Sequence, residues 1–131
     1  MKMKKSIIVF LVCLSLLAGC RAKAEYHKIS AADAYKIMSE SKDFIILDAR
    51  TEEEFHEQRI EGAILIPARE VNSRAGKELP DKNKMILVYC RSGGRSEIAS
   101  RELVRLGYTK VFDFGGLLNW PYETVSGLQD E

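Results

Sequence analysis

The sequence predicts a single α/β domain in which a parallel β-sheet is covered by helices on both faces. The chain has 131 residues, which suits one domain of ordinary size. Its composition, 46% hydrophobic and 30% charged, is that of a globular protein. Continuous apolar runs alternate along the chain with segments of helical periodicity, and this alternation is typical of parallel strands buried on both faces.

The first half of the domain contains two predicted strands and two predicted helices. Residues 26–29 predict a short strand, and Ser30 is a candidate N-cap for the helix that follows. Residues 44–47 form an apolar run typical of a buried strand. Thr51 and Glu54 then form a capping-box pattern, which predicts a second, short helix.

The second half continues the same alternation. Its predicted strands span residues 62–67, 85–89 and 110–114. Its predicted helices span residues 70–79 and a segment from about Ser96 to Gly107, where the glycine is a candidate C-terminal cap. Sites in parallel sheets form at the carboxyl ends of the strands. Because Asp48, Cys90 and the pair Gly115–Gly116 each follow a predicted strand, we expect them to lie along one edge of the sheet.

The N-terminus resembles the export signal of a bacterial lipoprotein. Three lysines within residues 1–5 precede an apolar stretch, residues 6–16, that is too short to span a membrane comfortably. The segment Leu17–Cys20 then resembles a lipobox, whose cysteine receives a diacylglyceryl group before the chain is cut in front of it. The alternative is an uncleaved N-terminal anchor helix.

This resemblance predicts a signal peptide over residues 1–19, a lipidated tether over residues 20–25 and a folded domain over residues 26–131. The protein is then expected in the cell envelope, outside the cytoplasm, held to a membrane by the lipid on Cys20. Cys13 would leave with the signal peptide, so Cys90 would be the only free thiol of the mature chain. A disulfide framework is thereby excluded, and Cys90 is either buried and inert or reactive.

The loop that follows the strand at 85–89 favours a reactive thiol. Gly93 and Gly94 permit a tight turn that can direct several backbone N–H groups at one point, and the helix behind the loop adds its positive end. Arg91 and Arg95 add two cations. Taken one at a time, the glycines are most simply a turn and the arginines are surface charges. Together they favour a thiolate at Cys90 that is reachable from solvent and lies beside an anion-binding cradle.

Cys90, Arg91, Ser92, Gly93, Gly94, Arg95 and Ser96 together resemble the active-site loop of rhodanese-like sulfurtransferases. Further segments that resemble the signatures of this family are residues 48–50 with 53–55, 60–67, 106–108 and 111–116 with Trp120. One departure is Gln58–Arg59, which stands where the family often has Gly-His before the second signature.

The resemblance implies a rhodanese-like fold with a five-stranded parallel sheet and helices on both faces. It implies that Cys90 takes a sulfur from a donor such as thiosulfate as a persulfide and passes it to a thiophilic acceptor. The loop amides of residues 91–96 would stabilise the outer sulfur, and Arg91 and Arg95 would help to hold an anionic donor. Asp48 is expected to brace the loop by hydrogen bonding, and Arg50 is a supporting candidate as a partner for nearby glutamates.

Three other functions stay open. Cysteine phosphatases that share this fold have five residues between cysteine and arginine, whereas four separate Cys90 from Arg95, which suits sulfur better than phosphate. Rhodanese-like domains also serve as non-catalytic or partner-dependent sulfur carriers, and the presence of Cys90 does not separate a carrier from an enzyme. Thiol redox chemistry would need a partner molecule, because the mature chain offers no resolving cysteine.

The remaining features narrow the range of partners. A formal net charge of +1 gives no basic field for nucleic acid. His27 and His56 are far apart in sequence and give no metal-ligand spacing, so neither a metal nor a cofactor is expected. The expected partners are small sulfur donors, thiophilic acceptors and the membrane that holds the lipid, while protein partners are left open.

Overall fold

The structure is a computed structural model that describes residues 24–128. Its strands and helices, in chain order, are β1 (His27–Lys28), α1 (Ala31–Glu40), β2 (Phe44–Asp48), α2 (Glu52–Glu57), β3 (Ile64–Leu65), α3 (Val71–Glu78), β4 (Met85–Cys90), α4 (Gly94–Arg105) and β5 (Val111–Gly116). Short 3₁₀ helices at Ala68–Glu70 and Leu117–Asn119 precede α3 and follow β5. The predicted alternation is confirmed, although α4 begins at Gly94 rather than near Ser96.

The five strands form one parallel sheet in the order β1-β5-β4-β2-β3. The predicted α/β fold with a five-stranded parallel sheet is therefore confirmed. β4 lies at the centre, between β2 and β5, and it is almost wholly buried because both of its edges and both of its faces are covered. Its last residue, Cys90, thus emerges from the middle of the sheet.

Two apolar clusters fill the two faces of the sheet. Along β4 the side chains alternate between them, because successive residues of a strand point to opposite faces. Ile86, Val88 and Cys90 belong to the cluster that packs against α3 and α4. Leu87 and Tyr89 belong to the cluster that packs against α1 and α2. Cys90 therefore lies on the face of the sheet that α4 covers.

Side-chain caps fix the starts of α1 and α2. The Ser30 hydroxyl accepts a hydrogen bond from the Asp33 N–H at 3.0 Å, as the sequence predicts. Thr51 and Glu54 form a complete capping box, in which each side chain accepts a hydrogen bond from the other residue's backbone N–H. The capping box holds the Glu54 carboxylate at the end of α2 that faces the Cys90 loop.

Within residues 24–128, no helix is long and apolar enough to span a bilayer. The predicted signal peptide, the lipidated Cys20 and most of the tether lie outside the described residues.

Candidate active site

The carboxyl ends of β2, β4 and β5 meet at one edge of the sheet, as the sequence predicts. Asp48 is in register with Tyr89, the residue before Cys90. Cys90 itself is in register with Gly116, after a shift in the pairing between Val88 and Cys90. The three neighbouring strands therefore bring the candidate residues of separate sequence motifs into one place.

The Cys90 sulfur accepts a hydrogen bond from the backbone N–H of Gly93, with an N–S distance of 3.0 Å. Only 1% of the surface of Cys90 is exposed, which differs from the expectation that its sulfur is reachable from solvent. The reason is its position. As the last residue of the central strand, Cys90 has a strand on each side, and the loop behind it turns back over the sulfur.

Glycines let the loop turn this tightly. Gly93 has a φ of +112°, in the left-handed region, and it caps the start of α4. Gly94, which the sequence suggested for the same purpose, is instead the first helical residue, and its φ is not positive. Gly116 permits close packing from the other side, because a Cβ there would lie 1.9 Å from the carbonyl oxygen of Arg91 and 2.5 Å from the nitrogen of Ser92.

The Ser96 hydroxyl ties the loop to its surroundings. It is fully buried and donates to the carbonyl oxygen of Gly93 at 3.0 Å, with the carbonyl oxygen of Gly115 at 3.4 Å. The sequence suggested only a backbone amide at this position. A serine in the first turn of a helix is the signal that could have revealed the hydroxyl's role, since such side chains often bond to nearby backbone groups.

Arg95 does not lie free beside the loop as an anion-binding cation. Its guanidinium donates two hydrogen bonds to the Glu54 carboxylate, with N–O distances of 2.6 and 2.8 Å. These bonds lower the pKa of Glu54 to about 2, so the carboxylate stays ionised at any working pH. The charge of Arg95 is therefore already paired before any donor binds.

Arg91 is exposed, and within residues 24–128 its guanidinium has no hydrogen-bonding or ion-pair partner. It lines a cleft of about 400 Å³ beside the loop. The other lining residues are Arg50, Glu54, Glu57, Gln58, Leu117 and Leu118. The carbonyl oxygen of Arg91 accepts a hydrogen bond from the Leu118 N–H at 3.1 Å, which fixes this wall of the cleft to the loop.

Asp48 and Arg50 form a buried ion pair, 0% and 5% exposed, beneath this edge of the sheet. The Asp48 carboxylate accepts hydrogen bonds from the backbone N–H and the guanidinium of Arg50, at 2.7 to 3.1 Å. Although burial opposes the charged form, the bonds to Asp48 raise the pKa of Arg50. The expected pairing of Arg50 with glutamates is thus corrected, and Asp48 directs these bonds to Arg50 rather than to the Cys90 loop.

The carbonyl oxygen of Gln58 and the hydroxyl of Tyr89 join this pair to its surroundings. Arg50 donates to the carbonyl oxygen of Gln58 at 2.6 Å. Burial, and then the neighbouring Asp48 carboxylate, raises the pKa of the Tyr89 hydroxyl well above its ordinary range, so this group stays protonated. The same hydroxyl accepts a hydrogen bond from the Ile60 N–H at 3.2 Å. The pair is therefore part of the scaffold that holds β2 and β4 in place under the loop.

The family model for the rhodanese-like domain matches residues 30–122 of this chain. The chain belongs to the rhodanese-like family. Thiosulfate sulfurtransferase PspE of Escherichia coli is 38% identical over 81 residues, which cover 62% of this chain and 78% of that protein. A solved structure described as a rhodanese with anions from E. coli has a TM-score of 0.60 and 37% identity, and the match covers 63% of this chain and 98% of that one.

A further relative is the putative sulfur carrier protein YrkF of Bacillus subtilis, 37% identical over 94 residues, which cover 70% of this chain and 50% of that protein. The likeness to thiosulfate sulfurtransferases and to a solved rhodanese identifies the domain as a rhodanese-type sulfurtransferase.

Gln58 and Arg59, where this chain departs from the Gly-His pattern of the family, hold the C-terminal segment of the domain. Arg59 is buried, pairs through its backbone with Val125, and donates from its guanidinium to the carbonyl oxygen of Gly127 at 2.6 Å. Gln58 donates to the Thr124 hydroxyl at 2.9 Å. The departure is therefore structural, and sequence alone could not show it because the partners are more than 60 residues away.

Among residues 24–128, no group of three or more His, Cys, Asp or Glu side chains could hold a metal ion.

Proposed function

We propose that Cys90 transfers a sulfane sulfur from an anionic donor such as thiosulfate to a thiophilic acceptor, through a persulfide on its sulfur. The observation that carries the proposal is the 3.0 Å hydrogen bond from the Gly93 N–H to Cys90 Sγ. A backbone amide directed at the sulfur stabilises a sulfur anion, and the loop leads directly into the N-terminus of α4, whose dipole acts in the same sense.

The chemistry has two displacement steps. The Cys90 thiolate attacks the outer sulfur of thiosulfate, a new S–S bond forms, and the old S–S bond breaks so that sulfite leaves with its electron pair. An acceptor such as cyanide or a thiolate then attacks the outer sulfur of the persulfide. Thiocyanate or an acceptor persulfide is released, and the Cys90 thiolate is restored. No net oxidation occurs, and no general base is required once the thiol is ionised.

Different groups around the loop would attract the donor and stabilise the charge on its outer sulfur. Arg91, which is exposed and has no charged partner in the part of the chain that the structure describes, lines the cleft and would attract the anionic donor. The backbone N–H groups of the loop, including those of Ser92 and Gly94, would receive the charge that develops on the outer sulfur. Cys90 is buried, so the outer sulfur of a donor must enter the loop to reach Sγ. The S–S bond of the persulfide is only about 2 Å long. Donors with a slender sulfane end are therefore favoured.

A partner-dependent sulfur carrier is the alternative that a specific finding favours, since YrkF is described as a putative sulfur carrier. A carrier would use the same persulfide but would receive and deliver its sulfur through a protein partner. Negligible turnover on small donors, with transfer only when such a partner is present, would favour the carrier over the enzyme.

The experiment that tests the proposal is intact-mass analysis of the purified protein, with and without a panel of small sulfur donors. We expect thiosulfate to add the mass of one sulfur atom, and cyanide to remove it with release of thiocyanate. A protein that turns over thiosulfate without any added sulfur would contradict the persulfide route. Hydrolysis of a phosphoester faster than sulfur transfer would favour the phosphatase alternative.

We propose further that the domain is anchored outside the cytoplasm by a lipid on Cys20. The proposal is supported by the basic start, the short apolar stretch and the Leu17–Cys20 segment of the sequence. Cys20→Ala is expected to give uncleaved protein without lipid, because the thioether has no other site of attachment. Metabolic labelling with a fatty acid, followed by gel mobility, measures both effects. Normal lipid labelling of the variant would contradict the anchor.

A further inference from the structure

The Glu54 carboxylate joins two elements that position the active-site loop. On its own side it accepts hydrogen bonds from the backbone N–H and the hydroxyl of Thr51, both at 3.0 Å, at the start of α2. On its other side it accepts two hydrogen bonds from Arg95, the second residue of α4. One carboxylate therefore connects the N-termini of two helices that are 41 residues apart in sequence.

The same contact changes the charge that a donor meets. Arg95 follows Cys90 by five residues, and the two side chains are close enough to interact electrostatically. Its partner Glu54 supplies an opposite charge through two hydrogen bonds, and because the side chains are 38% and 24% exposed, solvent screens the pair in part. With this pair neutral, Arg91 is the uncompensated cation at the loop among residues 24–128.

We propose that Glu54 is a positioning residue for sulfur transfer, which fixes the orientation of Arg95 and cancels its charge so that Arg91 and the loop amides alone set the affinity for anions. The inference rests on the proposed sulfur-transfer function and deepens it. A second free cation at the loop would hold thiosulfate more tightly, but it would also retain the sulfite that must leave. Glu54 thereby adjusts the site towards turnover rather than tight anion binding.

Glu54→Gln separates this role from helix capping. Glutamine also serves in a capping box, so the start of α2 is preserved while the negative charge is lost. Arg95→Gln removes the other half of the pair and leaves the Glu54 charge uncompensated beside the loop. The two variants therefore change the local charge in opposite directions. Glu78→Gln is the matched control, because Glu78 receives the same two-bond contact from Arg74 on α3.

The test combines steady-state kinetics with an NMR titration of each full-length variant. Sodium sulfate is added while the Gly93 amide resonance is followed, which gives an anion Kd that does not depend on sulfur transfer. We expect Glu54→Gln to lower the sulfate Kd and the thiosulfate KM by roughly fivefold, and Arg95→Gln to raise both by a similar factor. In Glu54→Gln, kcat should fall while KM falls. The double variant should lie between the two, and Glu78→Gln should match the wild type.

A merely structural role makes a different prediction. Loosening the loop would weaken anion binding in both single variants, so Kd shifts of the same sign, or none beyond that of the Glu78→Gln control, would overturn the inference. Glu54→Gln decides the sign by itself, because only the charge effect lowers its Kd, and its folding is checked by thermal unfolding. If it does not fold, the double variant decides by comparison with Arg95→Gln, since removal of the Glu54 carboxylate lowers the Kd there only if its charge is what matters. Failure of the wild type to accept sulfur would instead refute the proposed function, and the sulfate titration would still report on Glu54.

Discussion

Replacing Cys90 by serine is expected to abolish thiosulfate-dependent sulfur transfer while the domain stays folded. The hydroxyl can still accept the Gly93 hydrogen bond, but it cannot form the S–S bond on which both displacement steps depend. Because the site is buried, the more polar hydroxyl is expected to destabilise the domain by about 1–3 kcal/mol. Thiocyanate formation from thiosulfate and cyanide measures the activity, and thermal unfolding measures the fold.

Peptide mapping locates the sulfur on the wild-type chain. Trypsin cuts after Lys84 and Arg91, so Cys90 falls on a peptide that contains neither Cys13 nor Cys20. The added sulfur is expected on that peptide and is expected to be absent from Cys90→Ser. Ser100→Ala, which changes a buried hydroxyl on α4 away from the loop, serves as the control and should remain active. Substantial transfer by Cys90→Ser, or sulfur on another peptide, would rule out Cys90 as the carrier of sulfur.

The elements of this fold could be predicted from sequence because each depends on local patterns. The apolar run of β4 is continuous since both faces of a central parallel strand are buried, and Thr51 with Glu54 marks the start of α2 by its spacing alone. The position of Asp48, Cys90 and Gly116 at one edge follows from topology, because parallel strands share the side on which they end.

The pairing of charges could not be predicted in the same way. Arg95 meets Glu54 across 41 residues, and Arg50 pairs with Asp48, two residues away, although several glutamates lie about as close to it in sequence. Sequence shows which charged residues are present, but their partners depend on how the helices pack on the sheet. The burial of Cys90 could not be predicted either. From sequence it is the last residue of a strand and is expected to be accessible, but the turn at Gly93 covers it.

Gly116→Ala is expected to reduce sulfur transfer by two orders of magnitude or more, although Gly116 performs no chemistry. The added Cβ would lie 1.9 Å from the carbonyl oxygen of Arg91, 2.2 Å from its carbonyl carbon and 2.5 Å from the nitrogen of Ser92. These are backbone atoms, so no side-chain rotation can relieve the contact. The loop must move, and displacing reactive groups by about 1 Å can lower a rate about 100-fold.

The same overpacking is expected to destabilise the domain by about 3 kcal/mol. Gly76→Ala is the matched control, because a Cβ there meets no atom within 4 Å and alanine favours the helix by about 0.5–1 kcal/mol. The decisive measurement is the transfer rate per folded molecule, well below the Tm of the variant. Loss of stability alone would leave that rate unchanged, whereas a displaced loop lowers it and shifts the Gly93 amide resonance. Wild-type rate and resonance in Gly116→Ala would show that the approach of β5 does not hold the Cys90 loop in place.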